Sequence, residues 1–246
     1  MKSPIAKCLV LVAIVGMCAA TANAETLEEV KKKIHDKVSG YKSLEYKGYA
    51  TTDFNTPQFS SKSKTEMTAQ YLKQGEKILG RTESKINSEQ KMGDQVSKNT
   101  VHITSISDGQ FDYTIQDTDG VKTATKSNLA MNKELNPFNT LGMFKTMEET
   151  YDVKLMPDET VDGKPAWVLE MKPKDPAAAA TMGRTISYYD KESGISIKST
   201  SYDPAGKPIS TFITKDIKVN SSISPDRFVF KAPPGVEVMD TTQMPK

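Results

Sequence analysis

The sequence predicts an α+β fold in which helices cover the concave face of one large, curled antiparallel sheet. Two segments carry apolar residues at helical spacing, whereas most of the remaining chain alternates between apolar and polar residues. Asp-Gly pairs and other short turn sequences separate the alternating segments, as is typical of strands joined in hairpins. Two helices are too few to fill the inside of so wide a sheet, so we expect an apolar cavity between helices and strands.

Residues 1–24 are predicted to be an export signal that is not part of this fold. Met1–Lys7 is short and basic, Cys8–Ala20 is almost entirely apolar, and Ala22-Asn23-Ala24 has the small residues of a cleavage site. The apolar run is shorter than the roughly 20 residues of a membrane span. We therefore expect cleavage after Ala24, and residues 25–246 to form one domain in the periplasm. An uncleaved N-terminal anchor is the alternative interpretation.

The first element of the predicted domain is an amphipathic helix. Thr26, followed three residues later by Glu29, has the pattern of a capping box, and Gly40 supplies a stop. Between these signals, four apolar residues recur at helical spacing: Leu27, Val30, Ile34 and Val38.

An antiparallel meander is predicted next, because the apolar period changes from helical to two at Leu44. Asp108-Gly109 and Asp119-Gly120 are predicted to be tight turns within it. The strands are predicted around Leu44–Ala50, Met67–Tyr71, Lys77–Lys85, Val101–Ser105 and Phe111–Ile115.

The second half of the chain is predicted to contain one more long helix and further strands. Asn136-Pro137 is a cap and first-turn pair, and an apolar stripe follows it, formed by Leu141, Phe144, Met147 and Tyr151. Lys174–Thr181 is predicted to be a short connection or one helical turn. The strands are predicted at Val153–Met156, Ala166–Lys172, Arg184–Asp190, Ile195–Tyr202 and Ile209–Val219.

Charge and cysteine content exclude several classes of function. The chain of 246 residues has 33 basic and 31 acidic side chains, and the two extra positive charges are Lys2 and Lys7. Residues 25–246 are therefore formally neutral, which argues against a nucleic-acid partner, since phosphate binding needs a basic excess. Both cysteines, Cys8 and Cys18, lie in the predicted signal, so the domain has no disulfide, thiolate nucleophile or thiolate metal site.

No motif supports catalysis or a cofactor. The two histidines are His35, beside the stripe of the first helix, and His102, on the exposed side of a strand. They are too few and too far apart for a triad or a zinc site. Glycine-rich nucleotide-binding patterns and a nucleophile elbow are also absent from the sequence. We expect no enzymatic activity, no cofactor and no metal.

The order of elements and several short motifs point to a known family. The motifs are the turn Ser107-Asp108-Gly109, the strand end Leu169-Glu170-Met171-Lys172-Pro173, the strand Tyr188-Tyr189-Asp190 with its turn at Gly194, and the ending Phe228–Val238. In these features nearly all of residues 25–246 resembles the LolA-like group, the periplasmic outer-membrane lipoprotein carriers and their relatives. The resemblance implies a half-open antiparallel barrel closed by helices, with an apolar cavity for lipid acyl chains and no catalysis.

One departure from the family pattern concerns loading and release of cargo. The lipoprotein carriers have an arginine followed by proline just after the second long strand, whereas Leu72–Lys77 contains no such pair. Lys77 and Arg81 are the candidates for a polar latch that would hold cargo near the cavity mouth in place of that arginine. They share a face if Lys77–Lys85 is a regular strand. Arg81 is expected to contact a lipid head group or an acid such as Glu148 or Glu149. The alternative is a solvated strand residue.

Two functions therefore remain. The first is a periplasmic, monomeric binding protein that holds lipid or lipoprotein acyl chains and carries them towards the outer membrane. The second is a sensory or scaffolding module whose convex face binds an envelope protein. The predicted cavity residues, which could equally form a packed core, are Tyr71, Ile103, Phe111, Tyr113, Leu141, Phe144, Trp167, Leu169, Met171, Ile186 and Tyr188.

Overall fold

A computed structural model describes residues 25–56, 58–129 and 136–243, so the predicted signal lies outside the described residues. Within them the helices are α1 Leu27–Ser39, α2 Thr140–Thr150 and α3 Pro176–Ala179, with a 3-10 turn at Pro225–Phe228. The strands are β1 Ser43–Asn55, β2 Phe59–Gln74, β3 Lys77–Met92, β4 Gln95–Ser107, β5 Phe111–Thr118, β6 Val121–Asn128, β7 Tyr151–Val161, β8 Lys164–Pro173, β9 Arg184–Asp190, β10 Ser196–Tyr202, β11 Pro208–Val219 and β12 Val238–Asp240.

All twelve strands of the described residues belong to one curled sheet. Their order is β12-β6-β5-β4-β3-β2-β1-β11-β10-β9-β8-β7, and every neighbouring pair is antiparallel except β12 and β6. The sheet is not closed, because β12 and β7 are edges that do not pair with each other. The predicted fold class, a half-open α+β barrel with helices on the concave face, is confirmed.

Helix α1 forms as the sequence predicts. The Thr26 hydroxyl accepts a hydrogen bond from the Glu29 amide, and the Glu29 carboxylate accepts one from the Thr26 amide at 2.7 Å. These bonds satisfy donors that the first helical turn leaves free. Three residues of α1 are fully buried against the sheet: Val30, Ile34 and Val38. Each such burial stabilises the fold by about 1.5–3 kcal/mol.

The main core lies between the two long helices and the concave face. Its buried residues outside α1 are Leu44, Phe138, Phe144, Trp167, Leu169 and Tyr189. A buried lysine, Lys31, joins the helices, because its Nζ donates to Glu28 at 2.7 Å and to Glu148 of α2 at 2.6 Å. Burial opposes the charge of Lys31, but the two hydrogen bonds outweigh burial and raise its pKa.

Two Asp-Gly hairpin turns, of which Asp119-Gly120 was predicted, have the backbone geometry that their sequence demands. Asp119 and Gly120 have φ of 50° and 94°, and Asp162 and Gly163 have φ of 50° and 79°. Positive φ at both central residues is the signature of a type I′ turn, which matches the right-handed twist of the strands. The short sequence signal therefore fixes the β5–β6 and β7–β8 hairpins.

The C-terminal segment, which follows β11 and contains Ile223, Phe228 and Phe230, covers part of the convex face. Phe228 and Ile223 are buried against Leu79 of β3, and the Phe230 ring stacks on Tyr113 of β5 with centroids 4.3 Å apart. This segment adds a second apolar layer on the side of the sheet opposite the helices.

Several elements differ from the sequence-based expectations. Strands β2 and β3 are each 16 residues long, well beyond the predicted limits, and β6 and β12 were not predicted. Helix α2 begins at Thr140 rather than at Asn136-Pro137, because the Asn139 side chain caps it by accepting from the Gly142 amide at 3.2 Å. Its buried residues are Thr140 and Phe144, so the predicted stripe residue Leu141 points outward and is 44% exposed.

Candidate functional site

A cavity of about 730 Å3 lies on the concave face, between strands β2–β5 and the chain that leads into α2. Five of its wall residues are apolar or aromatic: Tyr71, Ile78, Ile106, Leu129 and Pro137. Four others carry hydroxyl groups: Thr82, Ser105, Ser107 and Thr114. The buried carboxylate Asp112, 8% exposed, also lines it. The wall is therefore mixed, whereas the sequence predicted an apolar one.

The register of the strands explains this mixed wall. Residues paired directly across an antiparallel ladder share a face, and Tyr71 pairs with Gly80 while Gly80 pairs with Ser107. Serine and threonine continue the same face at the next row, where Thr82 pairs with Ser105. The cavity therefore has an aromatic floor near α1 and hydroxyl groups towards β5.

Two tyrosines form the floor between this cavity and the core. Tyr46 of β1 and Tyr71 of β2 have nearly parallel rings, 29° apart, with centroids separated by 6.5 Å. Burial raises the pKa of both phenols, so both rings remain uncharged at neutral pH.

A lysine that sequence reasoning missed lies next to the cavity, although it is not one of the lining residues. Lys73 pairs with the wall residue Ile78, and its Nζ lies 4.6 Å from the ring centre of Phe138, which follows the wall residue Pro137. The ammonium donates to the Ser39 carbonyl at the end of α1, and burial lowers its pKa. Among the described residues, no carboxylate lies within ion-pair distance of Lys73.

The predicted latch residues contribute to the cavity wall, but the guanidinium of Arg81 turns to the convex side. It donates to Glu83 at 2.7 Å and to the carbonyl of Arg227, in the C-terminal segment, at 3.3 Å. Lys77 has the same parity on β3 and shares the convex face with Leu79. The expected contact of Arg81 with Glu148 or Glu149 is replaced by these bonds.

The structure brings together only some of the predicted cavity residues. Six of them face the helix-covered side: Tyr71, Ile103, Phe144, Trp167, Leu169 and Met171. Of these, Tyr71 lines the cavity described above, while Phe144, Trp167 and Leu169 form the packed core. The Trp167 indole donates to the Glu25 carboxylate at 2.7 Å. Met171 lines a separate, smaller cavity beside α2.

Four predicted cavity residues lie on the opposite face, which corrects the prediction of one shared face. Phe111 and Tyr113 point to the convex side, because their neighbour Asp112 pairs with the concave Ser107. The C-terminal segment supplies the cover that makes this side of β5 apolar. Ile186 and Tyr188 pack in a second cluster with Val168, since β8 is buried on both faces.

Among the residues that the structure describes, no group of three or more His, Cys, Asp or Glu side chains could hold a metal ion. His35 lies 3.2 Å from the Thr140 hydroxyl, between the two long helices, and His102 is exposed on β4. In the same parts of the chain, no helix combines the length and apolar character needed to cross a membrane.

Comparisons with known proteins give similarities of fold at low identity. A family model described as "Uncharacterized protein" matches residues 138–231, and no curated protein matches the chain. The MucA/MucB complex structure from Pseudomonas aeruginosa is similar at 12% identity and TM-score 0.48, covering 82% of this chain and 60% of that chain. This chain therefore spans about three fifths of the MucB chain.

For two further solved structures, the similarity extends over nearly the full length of their chains. A putative outer membrane lipoprotein-sorting protein domain from Vibrio parahaemolyticus is similar at 15% identity and TM-score 0.36, covering 81% of this chain and 94% of that chain. A LolA superfamily protein from Nitrosomonas europaea is similar at 13% identity and TM-score 0.29, covering 84% and 99%. LolA-like proteins, the group that the sequence resembles, are thus among the structures similar to this chain.

Proposed function

We propose that the chain is a non-catalytic binding protein of the periplasm whose concave cavity holds an acyl chain of a lipid or lipoprotein. The observation that carries this proposal is the cavity of about 730 Å3 with an aromatic floor at Tyr71. Cavities of roughly 300–1,000 Å3 are the usual size for one small ligand. Burial of about ten methylenes contributes on the order of 8 kcal/mol, enough to hold a chain without a covalent bond.

The mixed wall determines how the ligand is oriented in the cavity. Its methylenes pack against Tyr71, Ile78 and Leu129, while hydroxyls such as that of Ser105 donate to ester or amide carbonyls. The ammonium of Lys73, beside the wall residue Ile78, attracts an anionic head group that extends out of the cavity. Lys73 thereby takes the latch role that was predicted for Lys77 and Arg81.

Lipid binding is tested with two neighbouring residues of β4 that face opposite sides. Ser105 lines the cavity, whereas Thr104 faces the convex side. Mass spectrometry of lipid extracted from the purified protein identifies cargo, and displacement of an environment-sensitive dye measures affinity. We expect Ser105→Phe to fill the cavity and abolish binding, and Thr104→Phe to bind as wild type. Absence of lipid from the wild type, or equal binding by both variants, overturns the proposal.

The head-group role of Lys73 is tested separately. Lys73→Met should weaken binding of an anionic lysophospholipid by at least about tenfold, since one charge-assisted hydrogen bond is worth about 1.5–3 kcal/mol, and should leave binding of an uncharged monoacylglycerol unchanged. Lys64→Met, at a lysine of the same strand that does not line the cavity, is the matched control and should change neither. Equal losses for both lipids would assign Lys73 a packing role only. Transfer of bound lipid to acceptor vesicles then tests carriage.

A groove on the convex face supports a second candidate, binding of an envelope protein. The groove has a volume of about 430 Å3 and contains Tyr49, which is 39% exposed among charged residues such as Glu66 and Lys85. Exposed tyrosine is enriched at protein interfaces. A photo-crosslinking residue at position 49 should capture one specific envelope protein, while the same probe at concave position Met67 should not. Identical capture from both positions would contradict this function.

A further inference from the structure

Three methionine side chains from two elements meet at a second cavity, beside α2. The cavity has a volume of about 390 Å3 and lies between α2 and the ends of β8 and β9. Met143 and Met147 are one helical turn apart, so they lie on the same face of α2. Met171 reaches the same cavity from β8, where it pairs with Thr185 of β9. The three methionines therefore line one cavity from a helix and a strand.

A fourth sulfur, that of Met182, contacts a lining residue of this cavity without lining the cavity itself. The hydroxyl of Thr185, which lines the cavity, lies 3.7 Å from the Met182 sulfur and donates to it. Within the described part of the chain, the remaining lining residues are threonines and Tyr151, without a charged side chain. The available donors are thus neutral thioethers and hydroxyl groups.

This donor set suits a soft metal ion. Thioether sulfur favours Cu(I), whereas hard divalent ions such as Mg2+ and Ca2+ prefer carboxylate and carbonyl oxygens. Met171 is fixed in the wall at 6% exposure, and Met143 lies at the opening at 36% exposure. Methionine is unbranched and flexible, so the more exposed side chains can close around an ion. We propose that this cavity is a Cu(I) site formed by Met143, Met147 and Met171, with Met182 as the fourth ligand.

The Cu(I) site is independent of the acyl-chain cavity, because the two share no lining residue. The competing explanation is that the methionines only fill space between α2 and the sheet. Leucine distinguishes the two, since it has nearly the same volume as methionine and preserves packing but offers no sulfur.

The test is titration of the full chain with Cu(I) in competition with a chromophoric Cu(I) chelator, under anaerobic, reducing conditions. All proteins carry Cys8→Ser and Cys18→Ser, because free thiolates would bind the metal. We expect one equivalent bound by the otherwise unchanged chain, with a sulfur-only shell in X-ray absorption. The variant that removes the site is Met143→Leu/Met147→Leu/Met171→Leu. The matched control, made at exposed methionines elsewhere, is Met92→Leu/Met156→Leu/Met239→Leu.

The site variant should retain no tightly bound Cu(I), and the control variant should bind one equivalent. Circular dichroism and thermal unfolding check that both variants fold. If the site variant fails to fold, the single change Met143→Leu at the opening replaces it. Outer partners of metal ligands alone affect affinity by about 10- to 100-fold, so losing a direct ligand should weaken binding at least about tenfold. No stoichiometric binding, or equal binding by both variants, overturns the proposal.

Discussion

Replacing Phe144 with alanine should destabilise the protein far more than the same change at Leu141, three residues earlier on α2. Phe144 is 1% exposed, and its ring centre lies 5.8 Å from that of Tyr189 in the core. Removing a buried phenylalanine ring costs about 3–5 kcal/mol, through lost transfer free energy and the cavity that remains. Leu141 is 44% exposed, so its loss should cost about 1 kcal/mol or less.

Urea unfolding, followed by circular dichroism, measures this difference. With an unfolding slope of about 2–3 kcal/mol per molar urea, Phe144→Ala should lower the midpoint by about 1–2 M. Leu141→Ala should lower it by less than about 0.5 M. Both variants replace one α2 residue with the same good helix former, so helix propensity hardly affects the comparison. Equal midpoints, or a larger loss at Leu141, would refute the orientation of α2.

Three further predictions concern acid stability, a close backbone contact and the tryptophan. Hydrogen bonds, first of all from the Ser221 hydroxyl, hold the pKa of Glu45 below its usual 4.5. The contribution of Glu45 to stability is complete above pH 4.5 and is lost as the pH falls through the lowered pKa. Glu45→Gln should therefore make the unfolding free energy depend less steeply on pH below 4.5, and an unchanged slope would contradict this. Gly183→Ala would bring Cβ within 2.6 Å of the Asp203 carbonyl oxygen and should lower the thermal midpoint by about 3–10 °C, whereas an unchanged midpoint would show that the backbone yields. Trp167 is buried and lines neither concave cavity, so its emission should not shift when lipid binds; a shift at saturating lipid would place it beside the ligand.

Sequence reasoning identified the elements that depend on local signals. Helix α1 has its capping box at Thr26 and Glu29, and the Asp-Gly turns have the positive φ that short hairpins need. These features involve residues close in sequence, so the chemistry that fixes them is readable without the fold. The antiparallel pairing of the strands was predicted from the same turns, whereas the half-open form was implied by the family resemblance.

Which face of each strand is buried depends on distant segments, and there the sequence was insufficient. Alternation in β5 separates Phe111 and Tyr113 from their neighbours, but it does not say which side the helices cover. The C-terminal segment around Phe230 covers the convex side of β5, more than 100 residues away in sequence. In β8, both faces are buried, so alternation carries no information about the face.

The position of Lys73 could have been predicted from the sequence by a parity argument. Lys73 is two residues after Tyr71, so both point to the same face of β2. Arg81 pairs with Gln70, whose neighbour Tyr71 faces the cavity, so Arg81 has the opposite parity. The family pattern predicts an arginine, whereas the strand register places a lysine on the concave face.

The same register shows where helix cover ends on the concave face. Across one row of the sheet the side chains are Asn99, Ser88, Ser63, Thr52, Ser210, Ser201 and Thr185. A helix packed on this row would bury hydroxyl groups at a cost of about 1–3 kcal/mol for each one left without a partner. Apart from the exposed Asn99, the row is instead only half-buried, and some of its hydroxyls bond one another, as Thr185 and Ser201 do at 2.9 Å. The change from Leu44 and Tyr71 to this row therefore sets the limit of the core, and the cavity beside Tyr71 lies on the core side of that limit.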